Sequence, residues 1–170
     1  YDEYLKALDM RAQAAPFDKF HYPRIAQLTQ RSNQFNLRTV RYTESEIEAL
    51  ADDGNHITRY YCLQDKYGDY GLISVVIMDK KEEDTLFISE WLMSCRVLKR
   101  GMEEFITNDI IRTAEENGCR RVIGEYIPTP KNAMVADLYE RMGFEKREGY
   151  YIADVSTYKM HETNITEEEK

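Results

Sequence analysis

The turn Arg96-Val97-Leu98-Lys99-Arg100-Gly101 sets three cations directly ahead of a helical pattern that opens at Met102. The first amides of a helix have no intrahelical partner, and the dipole makes that end positive. Such a turn therefore suits an anion, with phosphate or pyrophosphate the natural guest. A solvated basic turn facing Glu103 and Glu104 accounts for the same residues. Glu90 stands inside an apolar run, where burial would raise its pKa and suit it to act as a base. An outward-facing or arginine-paired glutamate explains it equally. Cys95 adjoins the basic turn, where an exposed thiol would have a depressed pKa and could act as a nucleophile; the other reading is a small buried residue. His21, His56 and His161 share no metal-ligand spacing with one another or with the cysteines, so no metal is expected.

These residues need elements to hold them. Tyr4, Leu5, Leu8 and Ala12 share one helical face, and Pro16 ends that segment. Ile25, Leu28, Ser32 and Phe35 give a second helix after Pro23. Arg38 to Tyr42 reads as a short strand, and Thr43-Glu44-Ser45-Glu46 as a capping box opening a helix to Gly54. Thr58 to Gln64 and Tyr70 to Met78 form an antiparallel hairpin across Lys66-Tyr67-Gly68-Asp69. After a charged loop at 80–84, Leu86 to Ser94 is a strand leading into the basic turn. The helix from Met102 buries Phe105, Ile106, Ile110 and Ala114 and closes at Asn117-Gly118. Arg121 to Tyr126 is a strand, Asn132 to Met142 a helix, and Phe144–Arg147 with Tyr150–Lys159 a last hairpin. The strand-turn-helix-strand crossover makes two strands parallel in an otherwise antiparallel meander. The expected class is a mixed α/β sheet with helices on both faces.

A chain of 170 residues suits one domain, large enough to bury a core without disulfide or metal staples. The net charge of −8 argues against nucleic-acid and anionic-membrane partners, since the average field repels phosphate. Three cysteines without CxxC spacing point to thiols in a reducing compartment. The longest apolar stretch, Gly71 to Met78, is too short to span a bilayer, and no signal sequence opens the chain, so a cytoplasmic location is expected. The chain starts at Tyr1 rather than methionine, so a segment upstream is expected. The acidic end of the chain is expected to be disordered.

Asn132-x-x-x-Ala136-x-x-Tyr139-x-x-x-Gly143-Phe144 resembles the C-terminal helix motif of the GNAT acyltransferase superfamily. The Arg96 turn is similar to that superfamily's pyrophosphate loop, and the two lie in the usual order. Longer stretches are similar to the region that follows the phosphatase-like domain of FkbH-type proteins. They are Arg24-Ile25-Ala26-Gln27-Leu28, Asn33-Gln34-Phe35-Asn36-Leu37, Arg41-Tyr42, Trp91 to Leu98 and Gly124 to Thr129. The resemblance runs from about Pro23 to Tyr158. It implies a helical linker over 1–22 from a missing upstream domain, a GNAT-like domain over 23–160 and a tail over 161–170.

By this resemblance the loop Arg96, Val97, Leu98, Lys99, Arg100, Gly101, Met102 would grip the pyrophosphate of acetyl-CoA or another acyl-CoA. The pantetheine would lie in the fork between the strands Leu86–Ser94 and Arg121–Tyr126, against Leu92, Met93 and Ser94. Tyr139 would be the acid that protonates the departing thiolate, since a phenol stays protonated above a thiol's pKa. Tyr139 would also touch the cofactor, and Asn132 would bind pantetheine or cap its own helix. A buried tyrosine at the rim of the core fits that position too. The sequence departs from the loop pattern at Lys99, which stands where the first glycine would be. Two functions follow from the resemblance. One is acyl transfer from acyl-CoA or from an acyl or glyceryl carrier protein. The other is a non-catalytic module that docks an acyl carrier protein for an upstream haloacid-dehalogenase-type glyceryl-transfer domain, on a basic face of Arg96, Lys99, Arg100, Arg120, Arg121 and Lys131.

Overall fold

The computed structural model describes residues 1–82 and 84–169; Glu83, in the loop expected at 80–84, and Lys170, in the expected tail, lie outside the described residues. A mixed sheet forms the centre. Its strands are β1 (Arg11–Ala15), β2 (His56–Asp65), β3 (Gly68–Lys80), β4 (Thr85–Met93), β5 (Arg121–Gly124), β6 (Glu145–Arg147), β7 (Tyr150–Asp154) and β8 (Thr166–Glu167). Their order in the sheet is β6-β7-β5-β4-β3-β2-β1-β8. β4 and β5 are parallel, as the crossover requires, and so are β1 and β8; the other neighbours are antiparallel.

Helices cover both faces. On one face α2 (Tyr22–Arg31) and α3 (Glu44–Asp52) bury Ile25, Leu28 and Ile47 against Tyr60, Val75, Ile77 and Leu92. On the other, α4 (Met102–Glu116) and the single turn α5 (Leu138–Arg141) bury Phe105, Ile106, Ile110 and Leu138 against Val76, Ile88, Trp91 and Val122. Burial on both faces explains why β4 reads as an almost continuous apolar run. The capping box forms as expected: the Thr43 hydroxyl accepts from the Glu46 amide, and the Glu46 carboxylate accepts from the Thr43 amide. One buried ion pair ties the helix layer to the sheet. Arg59 of β2 meets Asp109 of α4 through two 2.8 Å bonds, and the Tyr61 hydroxyl donates to the same carboxylate at 2.6 Å.

The structure differs from the sequence reading in several places, among them the end of α2, which stops at Arg31 and leaves Ser32 and Phe35 outside it. The first helix, α1 (Asp2–Ala7), stops there because Asp9 takes a left-handed φ of 51° and turns the chain into β1. Residues 161–169 are ordered rather than a loose tail. Thr166 donates to the Met10 carbonyl at 3.0 Å, Glu168 to the Ala12 carbonyl at 2.8 Å, and Ile165 is buried. Arg38 to Tyr42 is not a strand; Thr39 has φ 55°, and its neighbours' amides bond to a side chain. Asn132 to Met142 is a 3-10 turn at Ala133–Val135 followed by the single turn α5, not one helix.

Candidate functional site at the fork of β4 and β5

β4 and β5 pair from Thr85↔Arg121 to Ile88↔Gly124 and then part. Beyond that point β4 runs on to Met93 while the chain after β5 turns away through Pro128 and Pro130. The fork so formed is where the resemblance placed a pantetheine arm. In this structure the chain's own residues 35–40 lie in it. The Met93 amide donates to the Phe35 carbonyl and the Leu37 amide to the Trp91 carbonyl, both at 3.0 Å. On the far side the Ile127 amide donates to the Leu37 carbonyl at 2.8 Å. Residues 35–37 thus take both edges that an inserted arm would use. While it is seated, this segment fills the place of a pantetheine arm, which would lie there only after residues 35–40 had moved out.

Glu90 holds the segment down. Its carboxylate is fully buried and accepts the amides of Arg38 at 3.3 Å, Val40 at 2.6 Å and Trp91 at 2.9 Å. Burial pushes its pKa up to about 7 against the lowering effect of those three amides and of the Arg38 charge. The Arg38 side chain bonds to Glu125 at 3.0 Å and to the Ser89 carbonyl at 2.7 Å. Asn132, also fully buried, is the cross-link. Its Oδ1 accepts from the Thr129 amide at 2.7 Å and the Tyr126 hydroxyl at 3.2 Å. Its Nδ2 donates to the carbonyls of Asn36 and Ile127, both at 2.9 Å. It makes no side-chain cap on the turn that follows.

Tyr139 sits at the floor of the fork. Its ring packs on Trp91, Phe144 and Tyr151, and it is 1% exposed. Its hydroxyl has no hydrogen-bond partner among the described residues. Burial, and then the Glu90 charge, hold the phenol pKa well above its usual value, with Arg38 opposing. A phenol of this kind is neutral and an unspent donor.

The basic turn does not act as one patch. Cys95–Val97 is a 3-10 turn capped by the Ser94 hydroxyl, and Val97 and Met102, the first residue of α4, are buried. Lys99 takes φ 60°, so the lysine keeps the left-handed backbone that glycine would favour. Arg100 is drawn to Asp65 at 3.0 Å and over the Tyr70 ring. Lys99, Gly101 and the start of α4 border a cavity with Glu103, Glu104 and Glu162, so the α4 N-terminus faces carboxylates. Arg120 and Arg121 lie at the other end of β5, where Arg121 pairs with Thr85 in register and with Asp84 as an ion pair. The single basic face expected from the sequence is therefore divided among three places.

Arg96 and Lys131 instead line a cavity of about 790 Å³ at the open mouth of the fork, joined by Arg24 and Arg31 of α2. The exposed Cys95 thiol is at its wall and donates to the Gln34 side chain at 3.2 Å. Sequence reasoning passed over Arg24 and Arg31, although they flank Leu28 at helical spacing, because only the apolar stripe of α2 was followed. Among the described residues no cluster of three metal-ligating side chains occurs, and no helix is long and apolar enough to cross a membrane.

Sheet order, the parallel β4–β5 pair, the turn into α4 and the fork define the fold of the GNAT acetyltransferases. Solved structures with this fold include spermidine N-acetyltransferase from Vibrio cholerae in complex with CoA and spermine, at TM-score 0.65 and 12% identity over 87% of this chain and 98% of that one. The GNAT domain of S. lividans PAT aligns at TM-score 0.62 and 16% identity over 83% and 89% of the two chains. The ribosomal-protein-S18-alanine N-acetyltransferase from Escherichia coli aligns at TM-score 0.58 and 13% identity over 83% and 90%. No protein-family model and no curated protein sequence matches the chain.

Proposed function

We propose that this chain is an acyl-donor domain on the acetyltransferase fold. It handles an acyl thioester, as acyl-CoA or on the phosphopantetheine arm of a carrier protein, and transfers the acyl group. The observation that carries the reading is the fork itself: β4 and β5 part beyond Gly124 directly above a neutral, unspent phenol at Tyr139. A donor reaches that phenol only when residues 35–40 leave the fork. Glu90, bonded to three amides, serves to seat that segment rather than to accept a proton from an acceptor.

A second reading has its own observation in its favour. The backbone bonds of residues 35–37 to both sides of the fork suit a module that docks a carrier protein without turnover, serving an upstream haloacid-dehalogenase-type domain. Calorimetric titration with acetyl-CoA, beside a phosphopantetheinylated carrier protein, separates the two. Binding of acetyl-CoA with thiol release in the presence of amine acceptors is the expected result. Binding of the carrier protein alone, without thiol release, replaces transfer by docking. No binding of either sinks both readings.

A further inference from the structure

We infer that the cavity between α2, the end of β4 and the loop after β5 is a subsite for a phosphate ester or pyrophosphate, held by Arg24, Arg31, Arg96 and Lys131. The inference deepens the reading above and rests on it only for the identity of the donor. It concerns the α2 side of the fork, not the N-terminus of α4.

Three observations support it. First, no carboxylate among the described residues lines the cavity, on a molecule whose net charge is −8. Arg24, Leu28 and Arg31 fall at i, i+4 and i+7, so one face of α2 presents both guanidinium groups to it.

Second, the two ordered arginines are held by neutral acceptors. Arg24 donates to the Gln27 side chain at 2.9 Å and toward the Leu72 carbonyl at 3.5 Å. Arg96 donates to the Tyr70 carbonyl at 3.1 Å and to the Ser94 hydroxyl at 3.4 Å. These bonds orient the guanidinium groups without neutralising them. Elsewhere Arg38, Arg59 and Arg100 each meet a carboxylate, at 3.0, 2.8 and 3.0 Å.

Third, Arg24 works against the local fold. It sits in the first turn of α2, at the positive end of the helix dipole, where an acidic residue is preferred. Burial and the charges of Arg96 and Arg31 hold its pKa below the usual value. A bound oxyanion relieves all of these at once, accepting the planar donor forks that guanidinium groups offer.

The test is titration of the whole chain with inorganic pyrophosphate, CoA, the phosphopantetheinylated carrier protein and unphosphorylated pantetheine. Alkylation of Cys95, followed by peptide mass spectrometry, is the second readout. Pyrophosphate and CoA are expected to bind and to slow Cys95 alkylation, and pantetheine is expected to do neither. Arg31 and Lys131 are exposed, so Arg31→Glu and Lys131→Glu leave the core untouched. Each is expected to weaken binding about tenfold or more. Lys159→Glu makes the same change in net charge at an exposed residue that does not line the cavity, and is expected to change affinity less than about twofold. Binding of the carrier protein alone, weakened by the same two variants, supports the subsite and identifies its phosphate as a protein-borne one. The inference is overturned if no phosphate compound binds, if pantetheine binds as tightly as CoA, or if Lys159→Glu weakens binding as much as Arg31→Glu. CoA binding that ignores Arg31→Glu removes the subsite and leaves the donor reading. Pyrophosphate binding without any acyl donor binding does the reverse.

Discussion

The ring of Tyr139 lies against the α-carbon of Gly124 so closely that a β-carbon built there would stand 2.4 Å from the ring. The last paired residue of β5 is thus shaped to the phenol that floors the fork. Gly124→Ala forces the ring or the strand to move, an overpacking cost of about 1–3 kcal/mol. In a chain of this size that lowers Tm by roughly 2–4 °C per kcal/mol, read by thermal unfolding. An unchanged Tm would show that Tyr139 does not hold this position.

Tyr139→Phe separates packing from chemistry. The hydroxyl is buried without a partner among the described residues, so its removal costs no hydrogen bond and relieves a desolvated donor. Stability is expected to stay level or rise by up to about 1 kcal/mol in chemical denaturation. Acyl transfer is expected to fall by about 10²–10⁴-fold if the phenol supplies the proton. A destabilised variant would mean that the hydroxyl is bonded after all.

Glu90 gives a pH signature. Its folded pKa, about 7, lies above the ordinary 4.5. A raised carboxyl pKa contributes stability that is complete below about 4.5 and is lost as pH climbs to about 7, because only the unfolded chain ionises readily in that window. Glu90→Gln cannot titrate. Between pH values of about 4 and 8 the wild type is expected to lose on the order of 3 kcal/mol relative to Glu90→Gln. Parallel stability curves for the two proteins would show that burial does not outweigh the three amide bonds to Glu90.

Lys99 offers a test of the loop. A lysine at φ 60° carries a steric cost of about 1–2 kcal/mol that glycine escapes, offset in part by the glycine's greater freedom when unfolded. Lys99→Gly is therefore expected to raise stability slightly, by up to about 1 kcal/mol, and to restore the loop pattern of the resembled superfamily. A loss of stability would show that the lysine side chain makes contacts that outweigh its backbone.

Much of the frame was legible from local pattern. The Thr43 capping box, the hairpin at 66–67, the apolar β4 and the buried face of α4 each follow from residues near one another in sequence. β1 was not, because it is built from Ala12, Ala14 and Ala15, whose small side chains give no alternation strong enough to outweigh a helical spacing with Leu5 and Leu8. The plug at 35–40 was hidden for a different reason: its partners, Glu90, Trp91 and Asn132, lie fifty or more residues further along the chain. In the site, the turn and the Tyr139 motif were visible as residue types. The division of the cations was not, since it depends on Asp65 drawing Arg100 away and on α2 turning Arg24 and Arg31 toward Arg96.

The parallel pairing of β1 with β8 has a consequence for how the molecule is made. Arg11 finds its neighbour Thr166 only after nearly the whole domain has been synthesised. Contacts so distant in sequence close late and slow folding. Until Thr166 and Glu167 emerge from the ribosome, this edge of β1 is unpaired, an opening for a wrong strand from the same or another chain. β8 therefore closes this edge of the sheet only after residues 166–167 have been made.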